Sequence, residues 1–178
     1  MGVFFAIDPP VQTKLAIDTW RAKALPDFDK QVQARNFHIT LEFLGNISPK
    51  QLDSLTQGVD QLTNANSFSV QLDQLGYWPK PKVLWLGSQH CQPAHLQLVD
   101  SLRKISRSAG IELQKQDYIA HLSLVRKCQA NPPAALIAPL FTWKTNEFHL
   151  FESVSGPNGV IYQRKKTWLL QPTFSFNR

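Results

Sequence analysis

Two short segments each place an imidazole and a hydroxyl two residues apart: His38-Ile39-Thr40-Leu41 and His121-Leu122-Ser123-Leu124. Alternate residues of a β-strand face the same way. In each segment the ring and the hydroxyl therefore share one face, while the two aliphatic residues share the other. Such a strand anchors itself in a core through one side and displays polar groups from the other. Two of them side by side would surround one cleft with two histidines and two hydroxyls. One neutral imidazole can take a proton from a nucleophile while one charged imidazole donates to a leaving oxygen. Thr40 and Ser123 can donate hydrogen bonds to non-bridging phosphoryl oxygens as charge develops there. That constellation suits phosphoryl chemistry. A second reading stands beside it: a His-x-Thr or His-x-Ser triplet is common, and the chain has five histidines, so the two could be unrelated.

The elements that must position these groups are legible from periodicity and turn residues. Val3 to Ile7 reads as a strand, and Asp8-Pro9-Pro10 as the cap and first turn of a helix to Ala24, with Val11, Leu15 and Trp20 facing inward. His38 to Phe43 alternates, with Ile39, Leu41 and Phe43 on one face and His38, Thr40 and Glu42 on the other. Ser48, Pro49 and Gln51 form a capping-box signature for a helix whose Leu52, Leu55, Val59 and Leu62 recur at helical spacing. Phe68, Val70 and Leu72 alternate as a strand that ends near Gly76, and Val83 to Leu86 is another strand candidate after a basic aromatic turn over 77–82. A third helix opens at Pro93, carries Leu96, Val99, Leu102 and Ile105 inward, and ends at Gly110. His121 to Val125, Glu147 to Ser153, Val160 to Tyr162 and Thr167 to Leu170 are later strands, with a hairpin turn over 155–159 and a short helical turn over 131–137. The fold class is α+β: largely antiparallel sheet with helices outside.

With 178 residues the chain is long enough for one domain with its own core. No run of eighteen apolar residues exists, so no membrane-spanning helix is expected. The net charge of +6 favours an anionic partner such as a phosphate ester or nucleic acid. The cationic groups Lys80 and Lys82, Arg103, Lys104 and Arg107, and Arg164, Lys165 and Lys166 are candidates to hold an RNA backbone. Two cysteines, Cys91 and Cys128, form no disulfide framework, which together with the lack of a secretory segment points to a cytoplasmic location. His90, Cys91 and His95 do not have structural-zinc spacing, and no phosphate-cradling glycine loop or dinucleotide fingerprint occurs, so neither metal nor cofactor is expected. His149, flanked by Phe148 and Leu150, reads as structural.

The chain resembles the two-histidine phosphoesterases, and within them the bacterial and archaeal RNA 2',3'-cyclic phosphodiesterases, historically called 2'-5' RNA ligases. The resemblance rests on His38-Ile39-Thr40-Leu41-Glu42-Phe43-Leu44-Gly45 and His121-Leu122-Ser123-Leu124-Val125-Arg126. Phe4-Phe5-Ala6-Ile7, Trp85-Leu86-Gly87, Leu150-Phe151-Glu152-Ser153 and Tyr162 extend it over nearly the whole chain. Ser123 stands where threonine is commoner and Ala120 where proline is frequent; serine keeps the hydroxyl.

The resemblance implies one bilobal catalytic domain over 1–178, with two largely antiparallel sheets around a central cleft and one motif from each lobe. It implies metal-independent opening of an RNA 2',3'-cyclic phosphate to a 2'-phosphate, with reversible 2'-5' joining as a related activity. His38 and His121 would be the catalytic pair, His121 as base and His38 as acid, with Thr40, Ser123 and Arg126 binding phosphate. In an ideal strand Arg126 would point with Leu122 and Leu124, so reaching the cleft requires a bend or bulge near Val125; otherwise it is a solvent-facing arginine beside Lys127. Trp78, Tyr77 and Phe148 are candidates for stacking a base. A monomer is expected. The alternatives are a phosphodiesterase for small cyclic nucleotides and a noncatalytic protein that binds RNA ends through its basic surface.

Overall fold

The computed structural model describes residues 2–173. In chain order the elements are β1 (Val3–Ile7), α1 (Val11–Ala24), a 3-10 turn (Ala34–Asn36), β2 (Ile39–Gly45), α2 (Pro49–Asp60), β3 (Phe68–Leu72) and β4 (Gln74–Trp78). They continue as β5 (Val83–Gly87), α3 (Pro93–Ser108), β6 (His121–Val125), β7 (Phe141–Thr145), β8 (Glu147–Gly156) and β9 (Gly159–Leu169). Seven strands form one antiparallel sheet in the order β4-β5-β6-β2-β1-β8-β9, and β3 pairs with β7 in a second. The α+β class and the antiparallel sheets with peripheral helices are as the sequence indicates. The large sheet has two halves, β4-β5-β6 and β2-β1-β8-β9, joined among the described residues by one strand pair, Ile39–Leu122.

Burial explains the helices. On α1 the inward stripe is Ile17, Trp20, Arg21 and Ala24, at the spacing of one helical face. Val11 and Leu15, expected inside, lie off that stripe and are 72% and 57% exposed. Asp8 caps no helix; its carboxylate pairs with Lys14 and Arg164. The capping box of α2 is present in full: Ser48 accepts from the Gln51 backbone, and the Gln51 side chain accepts from the Ser48 backbone. On α3, Leu98, Val99 and Leu102 are buried, but so is His95, whereas Leu96 is 40% exposed.

Four further sequence expectations change. The basic aromatic turn begins later than expected, because Tyr77 and Trp78 extend β4, which pairs with β5. The strand expected to run from Phe68 to near Gly76 is two strands in different sheets, because the chain leaves one sheet for the other at Asp73, whose carboxylate accepts from the Gln89 backbone and whose own N–H donates to Gly87. Residues 131–137 form no helix; Leu136 and Ile137 instead lie against α1, through Leu136 N–H to Ala24 and Trp20 Nε1–H to Ile137. The two late strands around Tyr162 and Thr167 are one strand, β9, in a long hairpin with β8, turned at Gly159 with φ of 108°.

Candidate active site

Among the described residues, the one strand pairing between the two sheet halves sits inside the two motifs. Ile39 and Leu122, both fully buried, face each other in an antiparallel register. That register sets His38 alongside Ser123 and Thr40 alongside His121, with Ile39–Leu122 as the local two-fold centre. Directly opposed side chains in such a pair have Cβ atoms about 5 Å apart. Four partly buried polar groups therefore stand on one face of the junction.

Both imidazoles are held by the same device. Nδ1 of His38 bonds the carbonyl of Asn36 at 2.8 Å, and Nδ1 of His121 bonds the carbonyl of Ile119 at 2.8 Å. A carbonyl only accepts, so Nδ1 carries the proton in each ring and Nε2 is the atom free to exchange a proton. Aromatic rings fix the planes. Tyr162 and Phe4 lie against His38, with ring centroids at 4.8 and 5.1 Å. Trp78 lies edge-on to His121 at 4.5 Å, backed by Trp85 at 6.3 Å. Trp85 is held over Gly76, where a Cβ would meet the indole at 2.1 Å.

Burial pushes the pKa of His38 down to about 4 against the pull of the Asn36 carbonyl; Arg126, His121 and Lys14 push it the same way. His121 is also lowered, by burial first and then by Arg126, with the Ile119 carbonyl opposing. Both rings are thus neutral at pH 7 in the free protein, and an acid role for His38 needs a bound anion to restore its charge.

Arg126 reaches the cleft because β6 bulges. Trp85 pairs with Ser123 but Leu84 pairs with Val125, so Leu124 is an extra residue that reverses the side-chain alternation. Leu124 and Val125 are both buried, and the exposed Arg126 turns to the histidine side. The segment after α1 stitches this turn down. Gln31 pairs with Val125, Val32 N–H donates to Leu124, and Arg126 N–H donates to Lys30. Arg21, 4% exposed, donates from one nitrogen to the carbonyls of Val32 at 2.8 Å and Leu124 at 2.7 Å.

Bulges in β2 against β1 have the opposite consequence for one expectation. Phe5 pairs with Glu42 but Ala6 with Thr40, so the faces swap after Leu41. Glu42 becomes 3% exposed and is ion-paired to Arg103 of α3; it does not accompany His38 in the strand alternation. Phe43 leaves the core for the cleft and is 53% exposed. Sequence alternation missed Phe43 because the bulges carry no residue signature here.

Two cavities meet at the motifs. One, of about 890 Å³, is lined by His38, Thr40, Phe43, Arg126, Lys30, Lys127 and Tyr162 among others. The second, of about 570 Å³, is lined by His38, Thr40, Phe43, Trp78, Tyr118, His121, Ser123 and Arg126. All five site residues expected from sequence are together. Trp78 is at the cleft, Tyr77 donates its hydroxyl to the Cys128 carbonyl, and Phe148 is 2% exposed in the core and can stack no base. The three basic groups do not converge on the cleft as free cations: Arg103 pairs with Glu42, Arg164 with Asp8, Lys165 with Glu152 and Lys166 with Asp60, and Lys80, Lys82, Lys104 and Arg107 line neither cavity. Lys30 and Lys127, which sequence grouping passed over, line the larger cavity instead.

His95 stacks on Phe68 at 4.6 Å and bonds the Tyr118 hydroxyl at 2.8 Å, which separates it from a metal role. His149 is 1% exposed and bonds Thr167. Among the described residues no group of three or more His, Cys, Asp or Glu could hold a metal ion, and no helix is long and apolar enough to cross a membrane.

Comparison with known proteins agrees with this arrangement. Residues 7–85 match the family described as LigT like Phosphoesterase. An RNA 2',3'-cyclic phosphodiesterase of Escherichia coli (strain K12) is 30% identical over 171 residues, covering 94% of this chain and 96% of that protein. One of the same name from Archaeoglobus fulgidus is 27% identical, covering 75% of this chain and 80% of that one. The crystal structure of E. coli LigT complexed with 3'-AMP superposes with a TM-score of 0.86 at 30% identity, covering 95% of this chain and 97% of that one. In sequence over almost its full length and in fold, the chain belongs to the LigT-like RNA 2',3'-cyclic phosphodiesterase family of the two-histidine phosphoesterases.

Proposed function

We propose that this protein opens the 2',3'-cyclic phosphate at an RNA end to a 2'-phosphate, using His121 as base and His38 as acid. The observation that carries it is the two-fold set of His38, Thr40, His121 and Ser123 around Ile39–Leu122, with both Nε2 atoms freed by identical carbonyl bonds at Nδ1. His121 takes a proton from water as its oxygen attacks phosphorus, and the bond from phosphorus to the 3'-oxygen breaks. His38 gives its proton to that oxygen, leaving a 3'-hydroxyl. Thr40 and Ser123 donate to the non-bridging oxygens, and Arg126, turned in by the bulge, neutralises their charge. With a 5'-hydroxyl in place of water, the same displacement would join ends through a 2'-5' bond: His121 takes the 5'-hydroxyl proton, the bond from phosphorus to the 3'-oxygen breaks, and His38 protonates that oxygen. The cytoplasm suits Cys91 and Cys128, which are both free thiols, and we propose a monomer as the working unit.

The test is hydrolysis of a short oligonucleotide ending in cyclic phosphate, in the presence of chelator, with products separated against 2'- and 3'-phosphate standards. A 2'-phosphate without inorganic phosphate is expected; a 3'-phosphate would overturn the bond assignment. His38→Ala and His121→Ala should each slow turnover about 10²-fold or more. Turnover lost in both variants with RNA still bound separates an enzyme from a protein that only binds RNA ends. Replacing the 3'-leaving oxygen by sulfur, which needs less protonation, should rescue His38→Ala more than His121→Ala. The reverse pattern exchanges the two roles.

A further inference from the structure

We propose that the RNA strand leading to the cyclic phosphate lies along a wall made by Lys30 and Lys127, while the terminal base enters the cavity beside Trp78. This rests on the cyclic-phosphodiesterase reading and adds a direction to it. The two cavities share His38, Thr40, Phe43 and Arg126, so a phosphate seated at those residues opens to both sides. Sites for ligands of nucleotide size occupy roughly 300–1,000 Å³. At about 890 and 570 Å³ each side can therefore take its own part of an oligonucleotide.

The walls differ in chemistry. The smaller cavity presents Trp78, Tyr118, Pro81 and Ile119, and its Arg103 is already bound to Glu42. That is a surface for a base, read by stacking. On the larger side Lys30 and Lys127 are exposed, and among the described residues neither has a carboxylate within ion-pairing distance, although Asp29 shares the wall. Elsewhere the acidic side chains are spent on cations: Asp8 on Lys14 and Arg164, Asp60 on Lys166. The backbone also favours the assignment. Lys127 has φ of 55°, a left-handed conformation that is uncommon and costly for a residue with a Cβ. It persists because the turn is held on both sides, by Arg126 N–H to Lys30 before it and by Cys128 N–H to Lys82 after it. The held conformation keeps Arg126 and Lys127 consecutive on the cleft.

The experiment compares a mononucleotide 2',3'-cyclic phosphate with a tetranucleotide ending in the same group, over a salt series. Each neutralised phosphate of a single strand adds about 0.7 to the salt slope, so two lysines should give the tetranucleotide an excess slope of about 1.4. Between 50 and 200 mM salt that is a roughly sevenfold larger loss of kcat/KM than the mononucleotide shows. The Lys30→Gln/Lys127→Gln double variant should lose that excess and most of the tetranucleotide's advantage, with an unchanged melting curve. Lys80→Gln, next to Pro81 of the Trp78 cavity, should keep both. Loss of the advantage in the Lys80 variant instead would place the strand on the Trp78 side and overturn the proposal. Equal efficiencies and equal slopes for the two substrates would also overturn it, while leaving cyclic-phosphate hydrolysis intact. No opening of either substrate would remove the underlying reading and this one with it.

Discussion

Arg21 is the perturbation with the sharpest expected signature outside the motifs. Its guanidinium is 4% exposed and donates to the carbonyls of Val32 and Leu124, the latter being the bulged residue that turns Arg126 into the cleft. A hydrogen bond from a charged donor contributes about 1.5–3 kcal/mol. Arg21→Met keeps volume but removes both, which gives a loss of roughly 3–6 kcal/mol. The lower end applies if Leu124 is served well enough by its remaining donor, Val32 N–H at 2.9 Å. The third contact, to Asp18, is at the surface and adds little. Stability is read by urea unfolding, where such a loss is a large part of a typical 5–15 kcal/mol. Arg21→Lys keeps the charge with one point donor in place of a fork, so it should fold with a smaller loss. Activity separates positioning from simple stability. Below the melting range, Arg21→Lys should lower kcat/KM in the native background but not further in Arg126→Ala, because it acts through Arg126. Equal losses in both backgrounds, or a stability change under about 1 kcal/mol for Arg21→Met, would refute this reasoning.

Gly76→Ala would set a Cβ at 2.1 Å from the Trp85 indole, so a loss of about 1–3 kcal/mol by thermal or urea unfolding is expected, with slower turnover as Trp85 and Trp78 shift against His121. The pH profile of kcat/KM should be bell-shaped with its maximum below pH 6.5, because both histidines are lowered and the acid partner loses its proton as pH rises; a maximum above pH 7.5 would contradict those environments. His95, held near pKa 4 by burial, favours the folded state fully above pH 6.5, and that contribution disappears as pH falls through 4. His95→Gln should therefore flatten the decline of stability between those pH values by up to about 3 kcal/mol, measured by urea unfolding across the range. An equal decline in both proteins would rule the account out.

The parts legible in sequence are those where the local pattern and the tertiary environment agree. The motif strands, the α2 capping box and the inward stripe of α3 around Val99 and Leu102 follow from periods of two and 3.6 residues. The misreadings cluster where a bulge resets the period. Strict alternation puts Phe43 inside, and the register shift against β1 brings it out to the cleft, while Glu42 sinks to 3% exposure against Arg103 in the wall of the smaller cavity. The same event in β6 rescues Arg126, whose place in the cleft an ideal strand forbids. Basic residues show the other limit. Proximity in sequence groups Arg164, Lys165 and Lys166, but the β9 alternation and nearby carboxylates disperse them, whereas Lys30 and Lys127 meet only because the post-α1 segment pairs with the end of β6.

A pair of equivalent histidines would make a poor acid–base couple, since catalysis needs one charged and one neutral ring together. Backbone symmetry here extends to the His-x-Thr/Ser spacing, the Nδ1 carbonyl bond and the facing register at Ile39–Leu122. The surroundings break it. His38 is enclosed by Phe4 and Tyr162 and feels Arg126, His121 and Lys14, whereas the influences on His121 beyond burial and its carbonyl bond reduce to Arg126. His38 is consequently the harder ring to charge in the empty cleft and the stronger proton donor once an anion has charged it. An acid that is fully armed only beside bound phosphate fits a leaving oxygen that exists only in the bound substrate. The less depressed ring, His121, is the one the proposed mechanism uses as base towards water. In the proposed mechanism the division of roles would thus rest on residues contributed by β1, β9 and α1, outside both motifs.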